Sequence, residues 1–593
     1  MSRLNFKGKK MFIDDQPFYL ISGDIHYFRS YRGGLERRLK YAKAFGLTAV
    51  QTYVPWNLHE PQSGEYCFDG LCDLKGFLEL CDKYGLKVLL RPAAYICSEW
   101  DCGGLPYWLL KEEMTVRSRD EKFMKYVERY YEHLVPEFLP YLSTNGGPVI
   151  AVAVENEYGS YGNDTVYLEK TMEILKKLGV DVPFYTTDGY QANMINYGTI
   201  DGVWAGANYR IESKQALDEL RAFQPDKPAL IGEYWSGRAI YWGEEFSKRN
   251  VDDVVNGFKE ALENGGYVNF YMFAGGTNFG FMNGANFGKT FGAAPERPVR
   301  YIAHTTTYDE DSLLNELGMP TEKYHACRKV LHDFLGKEMP PMPIEQEVAQ
   351  TVKPVKFTER CVIWDAIDYS KAFKSAAPLT MEKMGQDYGF ALYRTEFVGC
   401  GEKMRLSIDN LRDRADVYVD RAYAGTLMRE HDELSVELEI PKGKKVCIEL
   451  LVENLGRINY GPLITEKKGI DGGVFLDHVQ LFGWESLPLD LKSLDFVKYR
   501  KFEKTDAPVF LRAEFEAEAG KDTFLDMSKM NKGVVFVNGF NLGRYWNVGP
   551  QLTLYLPEEV VKKNNVIEVF DLYGADEHSS VEGIETPVIR EQK

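Results

Sequence analysis

Residues 149–159 read Val149-Ile150-Ala151-Val152-Ala153-Val154-Glu155-Asn156-Glu157-Tyr158-Gly159. A short apolar run broken at once by acids and an amide predicts a strand buried on both faces, with its C-terminal end emerging at a polar rim. Such strands need helices packed against their sheet. The flanking sequence supplies them. Apolar runs at 18–25, 48–54, 88–94, 149–154, 184–187, 203–207, 229–234 and 268–274 make eight candidate strands. Segments between several of them have helical spacing: Leu35/Leu39/Ala42, Leu74/Leu78/Cys81, and Leu168/Met172/Leu175 between an Asn163-Asp164 start signal and Gly179. Eight strands alternating with helices over about 280 residues predict an α/β chain opening with a (β/α)8 TIM barrel, whose active site forms at the C-terminal strand ends.

Beyond residue 320 the texture changes. A last helix over 322–334 runs into Met339-Pro340-Pro341-Met342-Pro343, after which helical spacing is scarce. Alternating runs at 391–397, 415–419, 446–452, 534–537 and 566–571, with turn signals such as Asp409-Asn410 and Asn538-Gly539, predict two β-sandwich or jelly-roll domains. The expected division is a catalytic barrel over 1–335, a linker region over 336–385, and β-sandwiches over 386–495 and 496–593.

The chain has 593 residues, of which 44% are apolar and 27% charged, a composition that excludes disordered and fibrous classes. Aromatic residues reach 13%, which suits a protein that handles flat apolar or sugar surfaces. A formal charge of −17 repels phosphate backbones and anionic lipid, so neither nucleic acid nor a membrane is an expected partner. The N-terminal MSRLNFKGKKMFIDDQPF lacks the apolar core of a secretory signal, and no apolar run is long enough to span a bilayer. Nine cysteines sit singly. Cys67/Cys72 and Cys97/Cys102 have no second pair and no nearby His cluster to complete a zinc set, so reduced buried thiols in a cytoplasmic protein are expected, with no metal and no cofactor.

The chemistry concentrates at two strand ends. The fourth strand ends in Glu155-Asn156-Glu157 and the seventh in Glu233-Tyr234-Trp235. Carboxylates delivered from these two strands across a barrel mouth are what a retaining glycosidase needs, a nucleophile and a proton donor about 5–5.5 Å apart. Strand parity places Glu155 and Glu157 on one face, so periodicity does not choose between them. Glu157 is favoured because it lies nearer the strand end and follows Asn156, an amide able to bind a sugar hydroxyl; Glu155 is left an ion pair or hydrogen bond inside the barrel.

The stretches Ser22-Gly23-Asp24-Ile25-His26-Tyr27-Phe28-Arg29, Tyr53-Val54-Pro55-Trp56-Asn57-Leu58-His59-Glu60-Pro61, Ile96-Cys97-Ser98-Glu99-Trp100, Val154 to Tyr161, and Tyr271-Met272-Phe273-Ala274-Gly275-Gly276-Thr277-Asn278-Phe279 resemble the β-galactosidases of glycoside hydrolase family 35, in their bacterial, intracellular type. The resemblance continues at Val452-Glu453-Asn454-Leu455-Gly456-Arg457 and Val537-Asn538-Gly539-Phe540-Asn541-Leu542-Gly543-Arg544, and so spans nearly the whole chain. It implies a retaining exo-acting hydrolase that removes terminal β-linked galactose from oligosaccharides or glycoconjugates. It also implies a galactose-binding-like jelly roll at the C-terminus. Carried over residue by residue, it makes Glu157 the acid/base, Glu233 the nucleophile and Asn156 a sugar ligand. Further sugar contacts fall on Tyr53, on Cys97-Ser98-Glu99, on Tyr271 and on Tyr308, and Trp235 is a candidate for stacking on the sugar.

This chain departs from the family pattern in two places. Arg238 follows Trp235-Ser236-Gly237 where the family commonly has an aromatic residue, and Glu310 stands in Tyr308-Asp309-Glu310-Asp311-Ser312 where it has another. The two are expected to pair at the rim and to set specificity. Alternatives are therefore a shifted specificity, such as an exo-β-glucosaminidase, another β-hexosidase or a transglycosidase, and a catalytically silent carbohydrate-binding protein. A homodimer is compatible with this reading.

Overall fold

The computed structural model describes residues 3–287, 300–308, 311–344, 348–401, 403–429 and 435–591. Its N-terminal half is built on eight parallel strands: β1 (Ile21–Gly23), β2 (Ala49–Tyr53), β3 (Lys87–Arg91), β4 (Val149–Ala153), β5 (Phe184–Gly189), β6 (Trp204–Tyr209), β7 (Leu230–Trp235) and β8 (Tyr267–Tyr271). Each pairs with the next in sequence, β8 returns to β1, and a parallel bridge between Asp24 and Gln51 closes the ring. All five residues of β4 are buried, as the unbroken Val149-to-Ala153 run requires when barrel filling lies on one side and helices on the other.

The covering helices are α1 (Arg32–Phe45), α2 (Leu74–Lys83), α3 (Glu121–Phe138), α4 (Thr165–Lys177), α5 (Ala192–Gly198), α6 (Ser213–Phe223), α7 (Val251–Glu263) and α8 (Glu322–Leu335). Their starts follow local chemistry. The Asp73 side chain accepts the amide of Gly76, that of Asp164 accepts the amide of Tyr167, and that of Asn250 accepts the amides of Asp252 and Asp253. Gly46 ends α1 at φ 101°, where a side chain would be strained.

The first expected strand is the main departure in the barrel. The run at 18–25 does not form one strand: Gln16–Phe18 pairs instead with Lys10–Ile13 in a three-stranded antiparallel sheet that starts at Leu4–Lys7, and only Ile21–Gly23 enters the barrel. Leu4, Met11 and Leu20 pack with Ala49, Leu89, Ile150 and Trp204, so this small sheet plugs the bottom of the barrel.

Two antiparallel sandwiches follow. In the first, a six-stranded sheet containing Phe390–Val398, Arg414–Val419 and Lys445–Glu453 faces a four-stranded sheet containing Lys403–Ile408 and Val474–Leu476, across a core that includes Tyr393, Leu406, Val417, Leu450 and Trp484. The second is built the same way around Leu511, Leu525, Val535, Leu554 and Val569. Its sheets take in Val352–Lys356 and Glu359–Val362, so part of the stretch expected as a linker forms strands of the C-terminal sandwich. Phe390, Tyr418, Phe510, Val534 and Phe570 fuse the two sandwiches into one further apolar cluster. At about 1.5–3 kcal/mol per fully buried large apolar side chain, that seam is strong enough to fix their relative position.

The barrel is tied to the first sandwich through the segment 454–460. Asn283 Nδ2 donates to the Leu455 carbonyl at 2.8 Å, the Arg457 amide donates to Asp101 at 2.8 Å, and the Tyr95 hydroxyl donates to the Asn459 carbonyl at 2.5 Å. All nine cysteines are free; six are buried, Cys67 and Cys447 are half-buried and Cys400 is exposed. Among the described residues no helix is long and apolar enough to cross a membrane.

Candidate active site

β7 delivers Glu233 to the mouth of the barrel. The strand is irregular there: its register against β6 and β8 shifts after Ile231, a bulge of the kind that re-aims a side chain. Three donors converge on the Glu233 carboxylate. Tyr53, at the end of β2, donates its hydroxyl to Oε1 at 2.5 Å; Arg91, at the end of β3, reaches the same oxygen at 3.2 Å; Trp235 Nε1 donates to Oε2 at 3.0 Å. Burial pushes the Tyr53 hydroxyl well above its ordinary range, so it remains a donor. Arg91 is fully buried, lies over the Tyr53 ring at 4.4 Å, and also donates to Asn156 Oδ1 and, at 2.7 Å, to Thr187 Oγ1. One guanidinium thus orients the nucleophile candidate, the amide beside Glu157 and the end of β5 together.

Glu157 is treated differently. It follows β4 with φ 46°, in the left-handed region. Its amide donates to the Thr187 carbonyl at 3.1 Å, and its Oε1 accepts Asn208 Nδ2 at 2.9 Å. Burial first, and the neighbouring Glu233 second, push its carboxyl up to about 8, against the Asn208 hydrogen bond and the Arg91 charge. At neutral pH this group holds a proton that it can give away.

Glu155, two residues earlier, points elsewhere. Arg117 grips it with two hydrogen bonds of 2.9 Å, Tyr167 donates to it at 3.3 Å, and the side chain is buried. With both oxygens engaged, it has no face toward the mouth. Where strand parity leaves Glu155 and Glu157 alike, Arg117, 38 positions upstream of Glu155, engages Glu155.

The rim on the β1 and β8 side is a polar aromatic wall. Cys97, Ser98 and Glu99 have φ of 54°, 55° and 49° in succession, a tight coil that turns Glu99 inward. Glu99 accepts the hydroxyls of Tyr271, at 2.9 Å, and Tyr308, and those two hydroxyls meet at 2.7 Å. Arg29 holds the coil from below, donating to the Ser98 carbonyl at 2.5 Å while its guanidinium lies 3.6 Å from the Tyr308 ring centre. The buried Cys97 thiol accepts Asn459 Nδ2 at 3.5 Å, so the first sandwich reaches the back of this wall. Tyr53, Cys97, Ser98, Glu99, Asn156, Glu157, Glu233, Trp235, Tyr271 and Tyr308 are therefore linked by contacts around one opening. Among the described residues no group of three or more His, Cys, Asp or Glu side chains is placed to hold a metal ion.

Arg238 stands apart. It is exposed and donates to Ser247 Oγ at 3.3 Å. Glu310 lies outside the described residues, and the expected Arg238–Glu310 pairing lies outside them with it. Two residues absent from the sequence-based selection matter here, Arg91 and Asn208. Arg91 had a visible signal, a lone cation ending the apolar run Val88-Leu89-Leu90 at the rim. Asn208 follows the candidate strand 203–207 by one position, and its role depends on β4 and β6 meeting across the mouth.

Comparison with known proteins gives a consistent picture. Residues 10–334 match the sequence model described as Glycosyl hydrolases family 35, residues 378–490 that of Beta-galactosidase, first all-beta domain, and residues 508–565 that of Beta-galactosidase, galactose-binding domain. The chain is 39% identical to a beta-galactosidase of Xanthomonas manihotis over 93% of this chain and 90% of that protein. It is 35% identical to Beta-galactosidase 17 of Arabidopsis thaliana over 98% of this chain and 88% of that protein, and 36% identical to the beta-galactosidase of Mus musculus over 99% and 95%. Among solved structures, a GH2 beta-galacturonidase from Eisenbergiella tayi aligns with a TM-score of 0.37 and 14% identity over 57% of this chain and 55% of that one, a likeness too distant to carry any argument.

Proposed function

We propose a catalytic division of labour for this chain, which belongs to glycosyl hydrolases family 35. Its activity is that of a β-galactosidase, a glycoside hydrolase that releases terminal β-galactosyl residues with retention of configuration. Glu233 is the nucleophile and Glu157 the acid/base. A Glu233 oxygen bonds to the anomeric carbon as the glycosidic C–O bond breaks, and Glu157 gives its proton to the departing oxygen. Glu157, now a carboxylate, takes a proton from water; the resulting hydroxide oxygen bonds to the anomeric carbon, and Glu233 leaves as a carboxylate.

The observation that carries this reading is the contrast between the two carboxyls. Glu233 receives three donors, one of them cationic, which suits a group that must be an anion before attack and again after release. Glu157 receives one neutral amide, and its carboxyl is pushed up to about 8, which suits a group that must begin protonated. Glu99, Tyr271, Tyr308, Ser98, Cys97 and Asn156 are assigned to the sugar hydroxyls, and Trp235 to a ring face at the rim. Arg238, exposed and three residues after Trp235 in the chain, is assigned to the leaving-group side.

Proton NMR of the first-formed product tests the reading. The β anomer of galactose should appear first and mutarotate; first appearance of the α anomer would exclude double displacement. Release from a panel of nitrophenyl β-glycosides checks the sugar: galactoside should be preferred over glucosaminide, and the reverse would favour the shifted-specificity reading.

A further inference from the structure

β5 ends in Thr187-Asp188-Gly189 beside the turn that carries Glu157, and Asp188 has no part in the chemistry described above. The left-handed backbone at Glu157 is costly for a residue with a side chain, so something must hold it. Consecutive residues of β5 do so. On one side the Thr187 carbonyl accepts the Glu157 amide at 3.1 Å; on the other the buried Asp188 carboxylate accepts the Gly159 amide at 2.7 Å. Within the turn the Glu157 carbonyl accepts the Ser160 hydroxyl at 2.8 Å.

α5 clamps the same turn, and two glycines let it approach. A Cβ on Gly159 would fall 1.8 Å from the Met194 carbonyl oxygen, and one on Gly198 would fall 2.0 Å from Asp188 Oδ1. The Asp188 carboxylate therefore lies between helix and turn.

We propose that Asp188 is the positioning residue for Glu157, its carboxylate fixing the 157–160 turn so that the Glu157 side chain meets the leaving-group oxygen. The proposal rests on Glu157 being the acid/base. A neutral acceptor of the same shape would keep the hydrogen bond, whereas a methyl group would release the turn. Charge adds a second signature. Asp188 is faced by Glu155 on the β4 end, Arg91 on β3 and Arg117 from the segment before α3; α5 turns no charged side chain toward it. Glu157 is faced by Glu233, Asp188 and Arg91, and by the Cys97 thiol and Tyr460 hydroxyl. The Asp188 charge acts on Glu157 in the raising direction, so removing it lowers the pH at which Glu157 gives up its proton.

The experiment compares Asp188→Ala, Asp188→Asn and Glu157→Ala on two substrates, a β-galactosyl disaccharide, which needs protonation of its leaving group, and dinitrophenyl galactoside, which does not. Asp188→Ala should lose about tenfold or more in kcat/KM on the disaccharide and less than about threefold on the dinitrophenyl substrate. Asp188→Asn should stay within about threefold of wild type on both, with its basic limb moved to lower pH. Equal slowing of both substrates by Asp188→Ala, or failure of Asp188→Asn to rescue the disaccharide, would overturn the proposal. Glu157→Ala separates the two layers. If it shows the leaving-group dependence and Asp188→Ala does not, only the Asp188 proposal falls; if Glu157→Ala shows none, the acid/base assignment falls and takes the proposal with it.

Discussion

The ends of β4 and β7 place the same side chain at the same opening and surround it differently. At β7, a bulge turns Glu233 toward Tyr53, Arg91 and Trp235, and a buried guanidinium sits within hydrogen-bond reach. At β4, a left-handed residue turns Glu157 toward an amide, with burial and the Glu233 charge as the dominant influences on its proton. Chemical identity of the residue decides little here. The proposed roles follow the donors that each strand end meets across the barrel, and Glu155, from the same strand end as Glu157, is gripped by Arg117 instead.

Breaking the β7 side should have the largest effect. Glu233→Gln should lower kcat by several orders of magnitude with little change in melting temperature, because a nucleophile has no substitute. Azide should not return a product of retained configuration. More than about a tenth of wild-type activity in the purified variant would move the nucleophile elsewhere.

Breaking the β4 side should be selective. Glu157→Ala should cost about 10²–10⁴-fold on a disaccharide and far less on a dinitrophenyl galactoside, whose leaving group departs without a proton. Uniform slowing would count against the assignment. In the wild type, kcat/KM should fall as pH rises through about 8, since the group there is needed protonated and deprotonates above that value.

The contrast can be sharpened by removing what creates it. Arg91→Met deletes the cation at Glu233 and the support of Asn156 and Thr187 in one change, and a loss of about 10–100-fold in kcat/KM is expected on every leaving group. A loss confined to poor leaving groups would attach Arg91 to Glu157 instead. Glu155→Gln strands the buried Arg117 and should cost about 3–5 kcal/mol of stability by calorimetry, while its kinetics lack the leaving-group signature of Glu157→Ala. Arg238→Ala should shift stability by less than about 0.5 kcal/mol, because that side chain is exposed with one serine contact.

Much of this was legible in the chain before folding, and what was not has a common cause. Runs such as Val149 to Val154 announce buried strands because both of their faces are apolar, and an acid directly after such a run has only the rim to occupy. Strand β1 was harder to read. Residues 18–25 form one apolar run, yet the chain leaves the plug sheet at Phe18 and enters the barrel at Ile21, a break fixed by which partner each half pairs with. The strands at 352–356 and 359–362 were hidden for the same reason: they follow a proline-rich stretch, and their partners lie more than a hundred residues downstream. Site chemistry divides likewise. Glu157 and Glu233 stand beside strand signals; Asn208 and Arg117 acquire meaning only through the partners that folding brings to them.

Carbon-13 NMR of the glutamate carboxyls tests most directly whether its surroundings make Glu157 the proton holder of the pair. A wild-type resonance, absent in Glu157→Gln, should titrate near pH 8 and move to lower pH in Glu233→Gln, where the neighbouring charge is gone. A Glu157 resonance titrating at the ordinary carboxyl value of about 4.3 in both proteins would contradict it.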